Sequence, residues 1–228
     1  MEKIKLNAHP SVVVVHFLDD FLFSLYDEGY PKKAYRLSAN NIGGNPEPYD
    51  VSPENLLIKE IAEEFDPNHP IEKPHVGKVD WASQEDIRFI RGGLLERIVP
   101  MQDFLVRQPE VIEGGNNPYQ GIYSAFYAEV SSLVIGCVDR NIQRGKNIPT
   151  EGIAGIYTLR QLENHPRGEF STAHITAHIL NWKFGSKIPH PKQITAEPIG
   201  LPRNTYDDYL SDFEYVSGGL RKASKAET

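Results

Sequence analysis

Hydrophobic positions open the 228-residue chain in short, dense runs. Residues 11–17 read Ser-Val-Val-Val-Val-His-Phe. β-Branched side chains fit a pleated, buried strand better than a helix. Leu18, Asp19 and Asp20 make a turn, and 21–26 is a second apolar run. After the polar loop 27–33, a third short strand is expected at 34–37. That order is a meander. Residues 40–46, with Gly43, Gly44 and Pro46, read as a loop. Ser52, Pro53 and Glu54 then open a helix: a capping hydroxyl, a proline whose missing N–H costs nothing in the first turn, and an acid at the positive end. The helix runs to about Phe65 and stops before Pro67.

Between 66 and 82, Pro67, Pro70, Pro74 and Gly77 predict a long loop. The spacing of Ile87, Ile90, Leu94, Leu95 and Ile98 predicts a helix over about 84–106, bent or split at Gly92-Gly93 and Pro100. A loop follows at 109–120, where Gly114, Asn116, Asn117 and Pro118 form a turn. One or two strands are expected in 121–138, the second at 132–138, and another strand at 153–157. Short and longer helices are expected at 159–163 and 169–182. The chain from Gly185 is extended and proline-rich, and the tail after Gly218 is frayed. Strands, a helix, strands, then helices indicate an α+β or layered α/β fold.

Composition narrows the function. Hydrophobic residues make up 39% and charged residues 24%, which is a folded chain and not a disordered one. With 24 Lys and Arg against 31 Asp and Glu, the net charge is -7. General nucleic-acid binding needs clustered positive charge, so that class is excluded. An anionic small molecule remains a partner if a metal ion supplies the positive charge. The lone Cys137 excludes an intramolecular disulfide and a Cys-rich zinc site. It reads as an inert buried thiol in a cytoplasmic protein. No stretch is apolar for long enough to cross a membrane.

The chemistry concentrates on the helix after the Gly-Gly loop. At about 100° per residue, Glu60, Glu63 and Glu64 share one face, and Leu57, Ile58, Ile61, Ala62 and Phe65 face a core. Carboxylates at this spacing repel by a few tenths of a kcal/mol per pair. A hard divalent cation relieves that repulsion, and Mg²⁺ and Mn²⁺ prefer oxygen ligands. Solvated acidic faces are common. Here the Gly-Gly loop and the strands before it argue for a site instead. Lys59 lies one turn before Glu63 and can pair with it.

This stretch resembles the Nudix box, G-x5-E-x7-R-E-U-x-E-E-x-G-U, where U is a bulky aliphatic residue. Lys59-Glu60-Ile61-Ala62-Glu63-Glu64 matches the R-E-U-x-E-E core with Lys for Arg. Gly44 matches the leading Gly, and Asp50 stands for the first Glu. Eight residues separate Asp50 from Lys59, one more than the pattern, and Asp66 stands where the closing Gly would be. Glu151, the strand after it and the helix from Glu169 resemble the family's late acid, last strand and closing helix. The similarity covers about 8–184.

The resemblance implies a Nudix-like α/β/α sandwich with a mixed sheet and an inserted helical segment. It is expected as a single domain over 1–228, with the insertion at about 67–118 and an extended C-terminal segment at about 185–228. It also implies a metal-dependent hydrolase of a nucleoside-diphosphate-linked or related small molecule. Glu60, Glu63 and Glu64 would hold Mg²⁺ or Mn²⁺. Glu60, Glu64 and Glu151 would be catalytic, and Gly43, Gly44, Asp50 and Lys59 would shape the substrate loop.

A non-hydrolytic nucleotide-binding or regulatory module on the same fold is the alternative, and a protein–protein scaffold is a third reading. Since the family often forms dimers, the apolar segment 84–106 is expected at a homodimer interface. Tyr26, Tyr30, Tyr35, Phe126 and Tyr127 can stack on a ring, although core packing is the commoner role of strand aromatics. His174 and His178 have the spacing of a zinc pair, but neither the Glu of H-E-x-x-H nor a third ligand accompanies them. They read as surface or interface histidines.

Overall fold

The computed structural model describes residues 3–26, 28–30, 32–47, 49–68, 79–113, 117–164 and 172–216. Most of the expected loop at 66–82, Gly114 and Asn116 of the expected turn, the first residues of the helix expected from 169, and the tail after Gly218 lie outside them.

The chain opens with strands β1 (Ile4–Leu6), β2 (Ser11–Phe17) and β3 (Asp20–Leu25). Two very short strands follow, β4 (Ala39–Asn40) and β5 (Ile42–Gly44). Helices α1 (Pro53–Glu64) and α2 (Gln84–Leu95) lead into the long hairpin of β6 (Ile98–Gln108) and β7 (Tyr119–Glu129). Then come α3 (Ser132–Gln143), β8 (Ile153–Tyr157), α4 (Leu159–Asn164) and α5 (His174–Phe184). Strands β9 (Thr195–Gly200) and β10 (Phe213–Tyr215) close the described chain.

Among the described residues the main sheet has eight strands, mixed in direction. β2 and β3 pair antiparallel only near their turn, from Val15 opposite Leu22 to Phe17 opposite Asp20. Further along they part. β5 takes over against β2 at Ser11–Val13, β4 takes over against β3 at Ser24 and Leu25, and β8 pairs along the other side of β3. β7 lies parallel to β2, and β6 and β9 extend the sheet beyond it. The fork between β2 and β3 thus brings the Gly-Gly segment into the sheet.

Period-two alternation in β2 divides the core. Val13 and Val15 pack with α1, α2 and α3 on one face, and Val12 and Val14 pack with α4 and α5 on the other. The result is a mixed α/β sandwich, sheet between helices, as the resemblance implied.

Several expected elements differ. Residues 33–35 form a 3₁₀ turn where a strand was expected at 34–37, and the expected loop 40–46 contains β5. The helix expected over 84–106 ends at Leu95, and its second half is β6, with Pro100 opposite Phe126 next to a bulge. The Gly pair does not break α2, and Gly93 serves packing: a Cβ there would lie 2.4 Å from Val134 of α3. Residues 132–138 are helical, not a strand. Ser131 caps α3 by accepting from Val134 N–H, and Val134, Ile135, Val138 and Asn141 are buried at helical spacing. Ile87, Ile90, Leu94, Phe104, Leu105 and Val106 are all buried within the chain. Phe89 and Val99 of the same segment remain exposed.

The C-terminal segment is strapped back by a buried polar chain. β10 pairs parallel to β1. Tyr209 O–H donates to Asp103 Oδ2 at 2.6 Å, and Ser124 O–H donates to Oδ1 at 2.7 Å. His9 Nε2 lies 3.0 Å from Ser124 Oγ, and its Nδ1 lies 2.6 Å from Tyr215 OH. Since Ser124 donates to Asp103, His9 donates to Ser124 through Nε2. Burial, aided by Arg203, pulls the His9 ring down to about 3. Burial pushes the Asp103 carboxyl up to about 6 against the Tyr209 and Ser124 hydrogen bonds.

These shifts have opposite consequences. The raised acid contributes stability that is fully present below its unfolded value near 3.8 and is lost as pH rises through about 6, a change of about 3 kcal/mol. The lowered His9 contributes stability present above about 6.5 and lost as pH falls toward 3. Urea unfolding of wild type and Asp103→Asn isolates the first effect. The stability difference should move in favour of the variant by up to about 3 kcal/mol from pH 4 to pH 7. Parallel pH curves would contradict a charged, buried Asp103.

Candidate active site

The fork in the sheet opens into a cleft of about 560 Å³ at the junction of β3, β5, α1 and the loop before β8. Helix α1 forms as its cap predicts, with Ser52 Oγ accepting from Asn55 N–H at 3.0 Å and Pro53 in the first turn. Leu56, Leu57, Ile61 and Phe65 anchor one side of it in the core, whereas Ile58, expected there, is exposed.

Glu60, Glu63 and Glu64 all line the cleft, in unlike environments. Glu63 is exposed and Glu60 half-buried. Glu64, on the same helix face, is only 8% exposed, because it braces three pieces of chain together. Its Oε1 accepts from Gly43 N–H at 3.3 Å and its Oε2 from Glu151 N–H at 2.9 Å. Gly43 is required at its position. Its φ of 143° and its closeness to β2, where a Cβ would lie 2.1 Å from Ser11 O, exclude any side chain. Gly44 lies beneath the Glu60 carboxylate, and a Cβ there would come within 2.5 Å of both its oxygens.

Lys59 pairs with Glu47 at 2.9 Å and Asp50 at 3.4 Å, not with Glu63. Asp50 Oδ2 also accepts from Glu47 N–H at 2.6 Å. Together they fasten the loop between β5 and α1. Glu151 is exposed at the cleft, with its Oε2 accepting from Tyr26 O–H at 2.7 Å.

The donors offered to a cation are carboxylate oxygens, the chemistry Mg²⁺ and Mn²⁺ prefer. Negative charge is also poorly compensated. Burial first, then Glu63, pushes the Glu60 carboxyl up to about 7, with Asp50 and Glu151 adding to the effect and Lys59 opposing it. Among the described residues, no three His, Cys, Asp or Glu side chains are gathered into a metal-binding group. The residues therefore fit a hard cation by donor type and charge, without a preassembled cage.

The opposite wall is rich in tyrosine. The Tyr26 and Tyr30 rings stack 3.9 Å apart at 8°, and Tyr35, Tyr119 and Tyr123 complete the surface, with Lys32 and His174 also at the cleft. Burial raises the Tyr26, Tyr30, Tyr119 and Tyr123 hydroxyls, which stay protonated. Phe126 is in the core and Tyr127 hydrogen-bonds His16, so neither reaches the cleft. Tyr119 and Tyr123 escape a sequence reading because the helix expected over 84–106 hides the β6–β7 hairpin that delivers them. Their i, i+4 spacing on one strand face was the available signal.

His174, expected at a surface or interface, is buried between this cleft and a smaller cavity of about 120 Å³. His178 hydrogen-bonds Ile194 O through Nε2 and packs 3.8 Å from the His190 ring. Burial, with His190 adding to it, lowers the His178 ring to about 4. Cys137 is buried and donates to Asp86 at 3.3 Å, with burial raising its thiol to about 11. No described helix is long and apolar enough to cross a membrane.

No protein-family model and no curated protein sequence matches the chain. Its structure is similar to that of a MutT/nudix family protein from Enterococcus faecalis, at 15% identity and a TM-score of 0.37. That match covers 72% of this chain and 48% of the other, so the chain spans about half the length of that protein. It is similar to a NUDIX hydrolase from Nitrosomonas europaea, at 13% identity and a TM-score of 0.42, over 80% of this chain and 93% of that one. It is similar to a NUDIX-family hydrolase from Clostridium perfringens, at 16% identity and a TM-score of 0.33, over 71% and 87%. All three solved structures are Nudix or MutT proteins, the family whose box residues 44–64 resemble.

Proposed function

We propose that the protein is a hydrolase of a diphosphate-linked small molecule, a nucleoside diphosphate joined to another group, and that it works with Mg²⁺ or Mn²⁺. One observation carries this reading. The Glu60 and Glu64 carboxylates of α1 are packed onto Gly43 and Gly44 of β5, and Glu63 lies beside them in a cleft whose other wall is aromatic. An acidic floor alone would repel a diphosphate, and a cation held by Glu60, Glu63 and Glu64 reverses that sign. When bound, the cation neutralises the diphosphate and makes a coordinated water easier to deprotonate.

The chain's own residues do the rest. Glu64 holds the glycine turn and the loop before β8 at a fixed distance from α1. Lys59 and Asp50 keep the loop at the cleft's edge in place. Glu151 adds a fourth carboxylate at the mouth of the cleft. The tyrosine wall excludes water and receives the organic part of the substrate. A non-hydrolytic nucleotide-binding module is the second reading, and the lack of a gathered carboxylate group among the described residues favours it.

The test is release of phosphate or nucleoside monophosphate from ADP-ribose, nucleotide sugars and dinucleotides with Mg²⁺ or Mn²⁺. Turnover of at least one, abolished by EDTA, is expected. Nucleotide binding that survives EDTA, with no product formed, would support the second reading instead.

Variants separate the acids. Exposed Glu63→Gln should cut kcat at least 10-fold and leave unfolding free energy within about 0.5 kcal/mol. Glu64→Gln should lose activity and also about 1–3 kcal/mol of stability, since one buried N–H then faces an amide NH₂. Gly44→Ala should displace the Glu60 carboxylate and lower kcat in a folded protein. Full activity in Glu63→Gln and Gly44→Ala would remove the α1 face from the mechanism.

A further inference from the structure

A glutamate in an exposed loop ordinarily samples several rotamers. Glu151 is held instead, because Tyr26 O–H donates to its Oε2 at 2.7 Å. Tyr26 is itself fixed. Its residue is 7% exposed, its ring stacks on Tyr30, and its hydroxyl oxygen accepts from Asn40 Nδ2 at 2.6 Å. Asn40 Oδ1 accepts from Thr176 Oγ1 at 3.2 Å, and fully buried Thr176 accepts from Asn41 N–H at 3.1 Å.

Only one direction of hydrogen bonding fits this chain. A carboxylate accepts and never donates, so Tyr26 must donate to Glu151. Its oxygen is then left to accept from the Asn40 amide, and Asn40 must turn its carbonyl to the Thr176 hydroxyl. Helix α5, strand β4, the residue just after β3 and the loop before β8 thus converge on one carboxylate. The backbone of Glu151 is tied as well, through its N–H to Glu64.

We propose that Tyr26 is a positioning residue, held by Asn40 and Thr176, that fixes the Glu151 carboxylate at the cleft so that it completes the cation site of Glu60, Glu63 and Glu64. The proposal rests on reading those carboxylates as a cation site. Oε1 of Glu151 carries no hydrogen bond among the described residues, and that oxygen is the one offered to the cation. The Tyr26 ring belongs to the tyrosine wall, but its hydroxyl acts through Glu151.

Tyr26→Phe removes the hydroxyl and keeps the ring. Mn²⁺ binding, followed by calorimetry and electron paramagnetic resonance, is compared in wild type, Tyr26→Phe, Glu151→Gln, the double variant and Glu63→Gln. Tyr26→Phe should weaken Mn²⁺ binding about 10-fold, as loss of a residue that orients a ligand does. The double variant should bind no more weakly than Glu151→Gln, because both remove the same interaction. For a substrate that is turned over, kcat should fall in Tyr26→Phe with KM unchanged, which a loss of wall packing would not produce. Wild-type Mn²⁺ affinity in Tyr26→Phe beside weakened Glu151→Gln would overturn the proposal and leave the cation reading standing. So would additive losses in the double variant. A wild-type protein that binds no Mn²⁺, or unchanged binding in Glu63→Gln, would overturn the cation reading and the proposal with it.

Discussion

The site depends on one buried carboxylate. Glu64 accepts from the amides of Gly43 and Glu151, which come from β5 and from the loop before β8. Removing either partner would leave a charge largely out of water, so the three segments hold one another in place. Burial of a carboxylate is tolerated because both oxygens are met by backbone N–H groups. The same brace sets the floor of the cleft: Gly43 is forced against β2, and Gly44 lies under Glu60. Other features of the site, the loop pinned by Lys59 and the aromatic wall, are arranged around this fixed point.

The layout answers a problem of charge. Four acids line one cleft, and among them Glu60 is pushed up to about 7 by burial and by its neighbours. Lys59 opposes this only in part, since its ammonium is paired with Glu47 and Asp50. The proposed cation would offset that crowding at the cleft. The tyrosines opposite supply apolar surface with protonated hydroxyls, suited to an organic group and free of further negative charge.

How much of this could be read from the chain alone depended on the range of the interaction. Helix α1 was readable because its signals are local: the Ser52 cap, Pro53, and the spacing of Leu57, Ile61 and Phe65. The run of valines in β2 was readable for the same reason. Residues 98–106 and 132–138 were misread because their pattern is set by partners far away. β6 is a strand through its pairing with β7, and α3 is a helix whose close approach to α2 requires Gly93. The positions of Glu60, Glu63 and Glu64 on one face followed from helical periodicity. The burial of Glu64 did not, because Gly43 and Glu151 lie 21 and 87 residues away. Lys59 was expected on Glu63 by local spacing, but the loop folded back Glu47 and Asp50 instead.

Anomalous diffraction from crystals soaked in Mn²⁺ tests the central claim most directly. A cation site on α1 predicts an anomalous peak in the cleft over Gly44, within ligand distance of carboxylate oxygens of Glu60, Glu63 and Glu64. Full Mn²⁺ occupancy elsewhere on the protein with no peak among these three carboxylates would contradict it.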